Sequence, residues 1–293
     1  MQPNFLIIGA PRTGTTHIYK GLRQHPQVYM SDFKEPMFFA YEGENVPGMT
    51  NTWDEYVHLF DNAQSGQIIG EASTLYLWKE STPANIHRYL PDVKLIAVLR
   101  NPIERAFSQY TFQRLLGVEP YATFEEALEA EPTRARDRSS SDFFRYTEVG
   151  LYAHQVARYQ EQFSKDHLMI FLNEDLESDQ QQVFQTIFTF IEVDSSFSPN
   201  LAHRANASGI PQKKLWYETI KAGGRLIKGF LPEVWTTRLS GALNERYLAR
   251  PKISPDTYRR LLKFYEDDIK HTEDLIGRDL SAWRVIPEKG VER

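Results

Sequence analysis

Apolar residues run continuously, rather than alternating with polar ones, through four short stretches of the chain. NFLIIG at 4–9, QIIGEAS at 67–73, VKLIAVLR at 93–100 and HLMIFLNEDL at 167–176 therefore predict strands buried on both faces. Helical spacing separates them. Thr15 to Gln24 carries Ile18 and Leu22 on one face, and Pro26 closes it. Asn101-Pro102 opens another helix after the third strand, because proline suits a first helical turn. Ser254 to Leu280 is predicted helical, with Leu261, Leu262, Phe264, Tyr265, Ile269 and Leu275 as its apolar face. Buried strands alternating with helices predict an α/β three-layer sandwich, a central parallel sheet flanked by helices. Ligands of such sheets bind beyond the carboxyl ends of the strands.

Two segments break this rhythm. Residues 131–145 (EPTRARDRSSSDFFR) are charged and serine-rich, which predicts a mobile surface loop. Residues 210–250 show few strand signals but contain Gly223-Gly224, Trp216, Phe230 and Trp235. They read as an irregular helical insertion within one domain spanning 1–293, and are placed to serve as an acceptor lid.

Composition narrows the function. Hydrophobic residues at 41% and aromatics at 13% can fill the core of one large domain, and 25% charged residues with a net charge of -5 do not describe a disordered chain. The acidic balance argues against a nucleic-acid binder. There is no cysteine, which excludes disulfides, thiolate metal sites and a cysteine nucleophile. It also fits a reducing compartment, so a cytoplasmic protein is expected. The apolar run Phe5 to Ala10 is too short for a signal-peptide core or a membrane span. The eight histidines lie scattered without metal-binding spacing, so no metal is expected. No G-x-S-x-G elbow supports a serine nucleophile.

The first strand and helix are joined by Gly9-Ala-Pro-Arg-Thr-Gly14-Thr15-Thr16. The spacing matches G-x4-G-K-[ST] with Thr15 in the lysine position, which makes the sandwich P-loop-like. Amides of such a turn, with the helix dipole behind them, converge on an anion. Gly14 admits a close backbone approach and Arg12 adds charge. An ordinary tight turn with a surface arginine is the alternative. Arg100 ends the third strand, and Ser108 lies about two turns into the next helix. A guanidinium fork and a hydroxyl together can hold a phosphate monoester. Alternatively Arg100 simply pairs with Glu104.

PRTGTTH and RNPIERAFSQY resemble the 5′-phosphosulfate and 3′-phosphate signatures of sulfotransferases that use 3′-phosphoadenosine-5′-phosphosulfate (PAPS). The branch is that shared by bacterial enzymes and heparan sulfate sulfotransferases. FKEPMFF (33–39), GEASTLYLW (70–78), GLYAHQVARY (150–159) and IGRDLSAW (276–283) also fall where that branch places similar segments. The resemblance implies sulfuryl transfer from PAPS to a hydroxyl or amine, releasing PAP, without a metal. It implies that Arg12, Thr13, Gly14, Thr15 and Thr16 cradle the 5′ end. Arg100 and Ser108 would hold the 3′-phosphate, with Tyr152 beside it or the nucleoside, and Asn206, Ser208 and Lys213 would close over the cofactor. Many relatives carry lysine where this chain has Arg12, which can stabilise a leaving phosphate but not protonate it.

The resemblance also makes Glu35 the general base, with Lys34 steadying the sulfuryl group or the acceptor. On residues alone Glu35 reads as a solvated turn residue paired to Lys34, and Glu71 is either a rival base or a buried hydrogen-bonding acceptor. His17 reads as a helix-surface residue at the site entrance. Arg134, Arg136, Arg138 and Arg145 would greet an acidic acceptor or form a solvated loop. Residues 213–228, with five basic side chains against one acidic, fit an acceptor lid, a docking surface for a carrier protein, a weak membrane contact or a packed amphipathic helix. A P-loop nucleotide kinase and a non-catalytic nucleotide-binding regulator are the competing readings. The acceptor stays open between a glycan, a lipid, a carrier-bound group and a small metabolite.

Overall fold

The computed structural model describes residues 1–46, 48–137, 141–200, 210–211, 248–249 and 252–287. These fall into two compact units. One is drawn from Met1–Arg105, Val149–Arg204 and Tyr265–Arg284, the other from Ala106–Glu148, Ala205–Phe264 and Val285–Arg293.

The first unit holds a parallel sheet of β1 (Phe5–Gly9), β2 (Val28–Met30), β3 (Ile68–Ala72), β4 (Lys94–Leu99) and β5 (Leu168–Leu172), in the order β2-β3-β1-β4-β5. The four apolar runs supply β1, β3, β4 and β5. The three-residue β2 is too short to announce itself. Among the described residues of the two units, the helices before residue 200 are α1 (Thr15–Leu22), α2 (Trp53–His58), α3 (Thr82–Tyr89), α4 (Pro102–Leu116), α5 (Phe124–Arg136), α6 (Tyr152–Gln162), α7 (Asn173–Ser178) and α8 (Gln180–Phe190). The predicted fourth strand stops earlier than its sequence run. The Asp175 carboxylate accepts the Leu172 N–H at 2.8 Å, so the chain turns there into α7.

Strand alternation sends Phe5, Ile7, Ile96 and Val98 to one face, where Ile18 and Leu22 of α1 and Val183, Phe184, Ile187 and Phe188 of α8 cover them. The approach is close: a Cβ on Gly21 would lie 2.2 Å from the Phe184 ring. Leu6, Ile8, Leu95, Ala97 and Leu99 point the other way and are also fully buried. Outside the sheet, α3 packs on α6. Phe38 stacks on Tyr56 at 5.0 Å and Trp53 on Tyr89 at 4.6 Å. Both faces are therefore covered, as the continuous apolar runs required.

In the second unit, residues 131–136 are helical where a loop was expected, and residues 138–140 lie outside the described residues. Helix α5 runs through Arg136, started by a capping box between Thr123 and Glu126. Its Arg134 forms a bidentate pair with the buried Glu119 at 2.7 and 2.9 Å, and Tyr146 donates to the same carboxylate. Arg145 donates to the Ala135 carbonyl at 2.9 Å. Arg134 and Arg145 are thus fixed structurally rather than presented to an acceptor, and Arg138 lies outside the described residues. Of the predicted insertion, β6 (Ile210–Pro211) pairs antiparallel with β7 (Leu248–Ala249), where helix was expected; residues 212–247 lie outside the described residues. The C-terminal helix is Pro255–Ile276. Leu261, Tyr265 and Ile269 are its buried row, while Phe264 is exposed.

Candidate active site

The loop between β1 and α1 is held from three sides. Ala10 N–H donates to the Val98 carbonyl at 2.9 Å, Thr13 Oγ1 donates to the Ala10 carbonyl at 2.7 Å, and Asn173 Nδ2 donates to the Thr13 carbonyl at 3.0 Å. Arg12 (φ 71) and Gly14 (φ 103) both adopt left-handed backbone. Glycine is needed at 14, since a Cβ there would also meet Leu176 Cδ1 at 2.9 Å. Helix geometry leaves the first amides of α1 without intrahelical partners. Thr13 and Thr15 are buried and Thr16 half-buried beside them, and free amides at a helix start are the arrangement that favours an anion.

Arg100 follows β4 and is 4% exposed. Its Nη1 donates to the Arg12 carbonyl at 3.0 Å, and its Nη2 pairs with Glu104 at 3.1 Å. Its buried Nε has no partner among the described residues. A desolvated guanidinium with a spare donor suits an anion. Burial, reinforced by the positive fields of Arg100 and Arg105, lowers the Arg12 guanidinium to about 10. Arg12 thus lies within the fields of two further guanidiniums. The sequence reading passed over Arg105, whose signal was its place one helical turn after Asn101 in RNPIER.

Tyr152 is buried, and its hydroxyl donates to the Arg100 carbonyl at 3.0 Å. The Asp268 carboxylate, on the C-terminal helix, accepts the Tyr152 and Ala153 amides at 2.8 and 3.1 Å and so caps α6. The tail is docked by an Arg278–Asp175 pair at 2.8 Å and by Trp283 Nε1 donating to Glu174 at 2.6 Å. Asn101 Nδ2 donates to the Trp283 carbonyl at 3.3 Å. Neither Asp268 nor these anchors were singled out in the sequence, because each needs a partner more than a hundred residues away.

Glu35 sits in left-handed backbone (φ 66), two residues before Met37 (φ 59). Its N–H donates to the Ala72 carbonyl at 2.9 Å. Its carboxylate accepts the Thr74 N–H at 2.7 Å and the Thr74 hydroxyl at 3.2 Å, and pairs with Lys34. The side chain keeps 27% of its surface open, enough to meet a substrate. Glu71 is fully buried. Burial pushes its carboxyl up to about 8, against hydrogen bonds from Ser73, Tyr76 and Tyr56. It presents no surface to an acceptor.

His17 hydrogen-bonds Gln180 at 3.1 Å and meets Phe184 edge-on, so it packs α1 against α8 instead of standing at an entrance. Ser108 is buried on α4 within the second unit; its part in binding a phosphate rests on the sequence resemblance. Asn206, Ser208 and Lys213 lie outside the described residues. Among the described residues, no helix is long and apolar enough to cross a membrane.

The sulfotransferase domain model matches residues 2–223. The chain belongs to the sulfotransferase family. A crystal structure of a sulfotransferase from Alicyclobacillus acidocaldarius aligns over 97% of this chain and 100% of its own, with 29% identity and a TM-score of 0.76. The bifunctional heparan sulfate N-deacetylase/N-sulfotransferase 1 of Xenopus laevis is 27% identical across 96% of this sulfotransferase and 31% of its own length. Mouse carbohydrate sulfotransferase 15 is 27% identical over 65% of this chain and 44% of its own. This sulfotransferase therefore spans about a third to under half the length of these curated relatives.

Proposed function

We propose that this sulfotransferase moves a sulfuryl group from PAPS to a hydroxyl or amine of a glycan, releasing PAP. The loop amides with Arg12 beside them, next to the buried Arg100 guanidinium whose Nε has no partner among the described residues, carry the reading, because a desolvated guanidinium with a spare donor calls for an anion. Bound PAPS would supply an activated sulfuryl group between the acceptor and a phosphate leaving group. Arg12, with the amides of Thr13, Gly14, Thr15 and Thr16, would hold that phosphate and offset the charge it gains. Arg100, braced by the Arg12 carbonyl and by Tyr152, would take the 3′-phosphate.

Glu35 would accept the acceptor's proton as the acceptor atom bonds to sulfur and the sulfur–oxygen bond to PAP breaks. Thr74 aims it, and one face remains open. A positioned base is worth about 10² to 10⁴ in rate. Lys34, now paired with Glu35, would turn to the incoming sulfuryl oxygens or to the acceptor. The names of the relatives favour a glycan acceptor. The cysteine-free composition favours work in the reducing cytoplasm.

The test is transfer of radiosulfur from PAPS to chitosan oligosaccharides, which offer both amines and hydroxyls, with PAP binding measured by calorimetry. Glu35→Gln should abolish transfer and leave PAP affinity unchanged. Full turnover in that variant removes Glu35 from the role, and stabilisation by ATP with magnesium but not by PAP overturns the donor assignment.

A further inference from the structure

The turn that carries Glu35 is tied to the chain following β3, and one buried carboxyl organises the ties. Glu35 N–H reaches the Ala72 carbonyl, Met37 N–H reaches Ser73 Oγ at 3.0 Å, and Phe39 N–H points to the Tyr76 hydroxyl at 3.5 Å. Ser73 Oγ in turn donates to Glu71 Oε2 at 2.9 Å, and the Tyr56 hydroxyl donates to Glu71 Oε1 at 3.2 Å. A serine hydroxyl has one proton to give. By taking it, Glu71 turns the Ser73 lone pairs toward Met37 and leaves its N–H satisfied. Met37 and Glu35 both hold left-handed backbone, which persists only where the surroundings fix it.

We propose that Glu71 is a positioning residue for sulfuryl transfer: through Ser73 it fixes the Glu35–Phe39 turn and thereby aims the Glu35 carboxylate. The proposal rests on Glu35 acting as the base. Glu71 does its work as a hydrogen-bonding group, so a neutral amide of the same shape can replace it. The titratable groups facing it are the phenols of Tyr56, Tyr76 and Tyr159 and the Glu35 carboxylate. None of them is a cation that would demand a charged partner.

Four variants separate the outcomes: Glu71→Gln, Glu71→Ala, Ser73→Ala and Glu35→Gln. Each is assayed for PAP release from PAPS with chitosan oligosaccharides as acceptor, and for PAP affinity. Glu71→Gln should keep the wild-type kcat. Glu71→Ala should lose about 10²-fold in kcat, the scale expected from a misplaced catalytic group, with KM for PAPS and PAP affinity unchanged. Ser73→Ala, a smaller change that serves where Glu71→Ala fails to fold, should lose about tenfold in kcat with the same split. Wild-type kcat in both Glu71→Ala and Ser73→Ala overturns the proposal, as does a loss shared equally by kcat and PAP affinity. A Glu71→Gln variant as inactive as Glu35→Gln also overturns the proposal, since a neutral amide should serve in its place. Turnover in Glu35→Gln is a different result, since it removes the base reading on which the proposal stands.

Discussion

Arg100 Nη1 donates a 3.0 Å hydrogen bond to the backbone carbonyl of Arg12. The end of β4 and the loop after β1 are thereby one unit, although 88 residues separate them in sequence. The bond uses one donor of a five-donor fork. Glu104 engages another, and the buried Nε is without a partner among the described residues. The guanidinium is thus oriented by the protein and still has capacity for a ligand.

This orientation predicts selective loss when Arg100 is removed. Arg100→Ala should weaken PAP binding by about 10²-fold, since a charge-assisted hydrogen bond is worth about 1.5–3 kcal/mol. Adenosine 5′-phosphosulfate, which lacks the 3′-phosphate, should lose much less. Calorimetry with both ligands decides the matter, and equal losses would take Arg100 off the 3′-phosphate. Arg100→Lys should recover little, because an ammonium cannot reach the Arg12 carbonyl and a phosphate with one planar fork.

The loop itself yields a second expectation. Gly14 combines a φ of 103 with a Cβ position only 2.9 Å from Leu176. Gly14→Ala should cost about 1–3 kcal/mol of stability through strained backbone. It should also abolish PAP binding, because the amides at the start of α1 move with it. Thermal unfolding with and without PAP checks both. A variant that PAP still stabilises as it does wild type would show that the cradle does not depend on this geometry.

Much of this architecture was legible because its signals are local. A strand buried on both faces reads as an unbroken apolar run, and Gly9 to Thr16 is a contiguous motif, so the sheet and the strand–loop–helix at its start came directly from the chain. Glu35 stood out only because the segment around it resembles a known family, whereas Arg100 was legible from its place at the end of a strand, with a plain pairing to Glu104 as the alternative. The structure adds what long-range contacts decide. Arg105 matters through its field on Arg12, Asp268 through amides 116 residues away, and Glu71 through a serine that serves another segment. The last turns of α5, residues 131–136, read as loop because arginine and serine content outweighed the T-x-x-E capping box at Thr123 and Glu126, a local signal that starts the helix. Strand β2 had too few residues to show any period.

The buried carboxyl of Glu71 makes stability depend on pH in a defined direction. An unfolded glutamate titrates near 4.5, while in the fold burial holds this one up to about 8. Between those values the folded protein keeps a proton that the unfolded chain has released. Stability is therefore fully present below the lower value and falls as pH rises toward the upper one, at about 1.4 kcal/mol for each pH unit. Glu71→Gln cannot ionise and escapes this loss. Guanidinium unfolding near pH 4 and near pH 9 should show the glutamine variant gaining on wild type as pH rises, with the gap levelling off above about 8. A gap that stays constant across the range would mean that Glu71 is ionised inside the fold, and the neutral hydrogen-bonding role assigned to it would have to be abandoned.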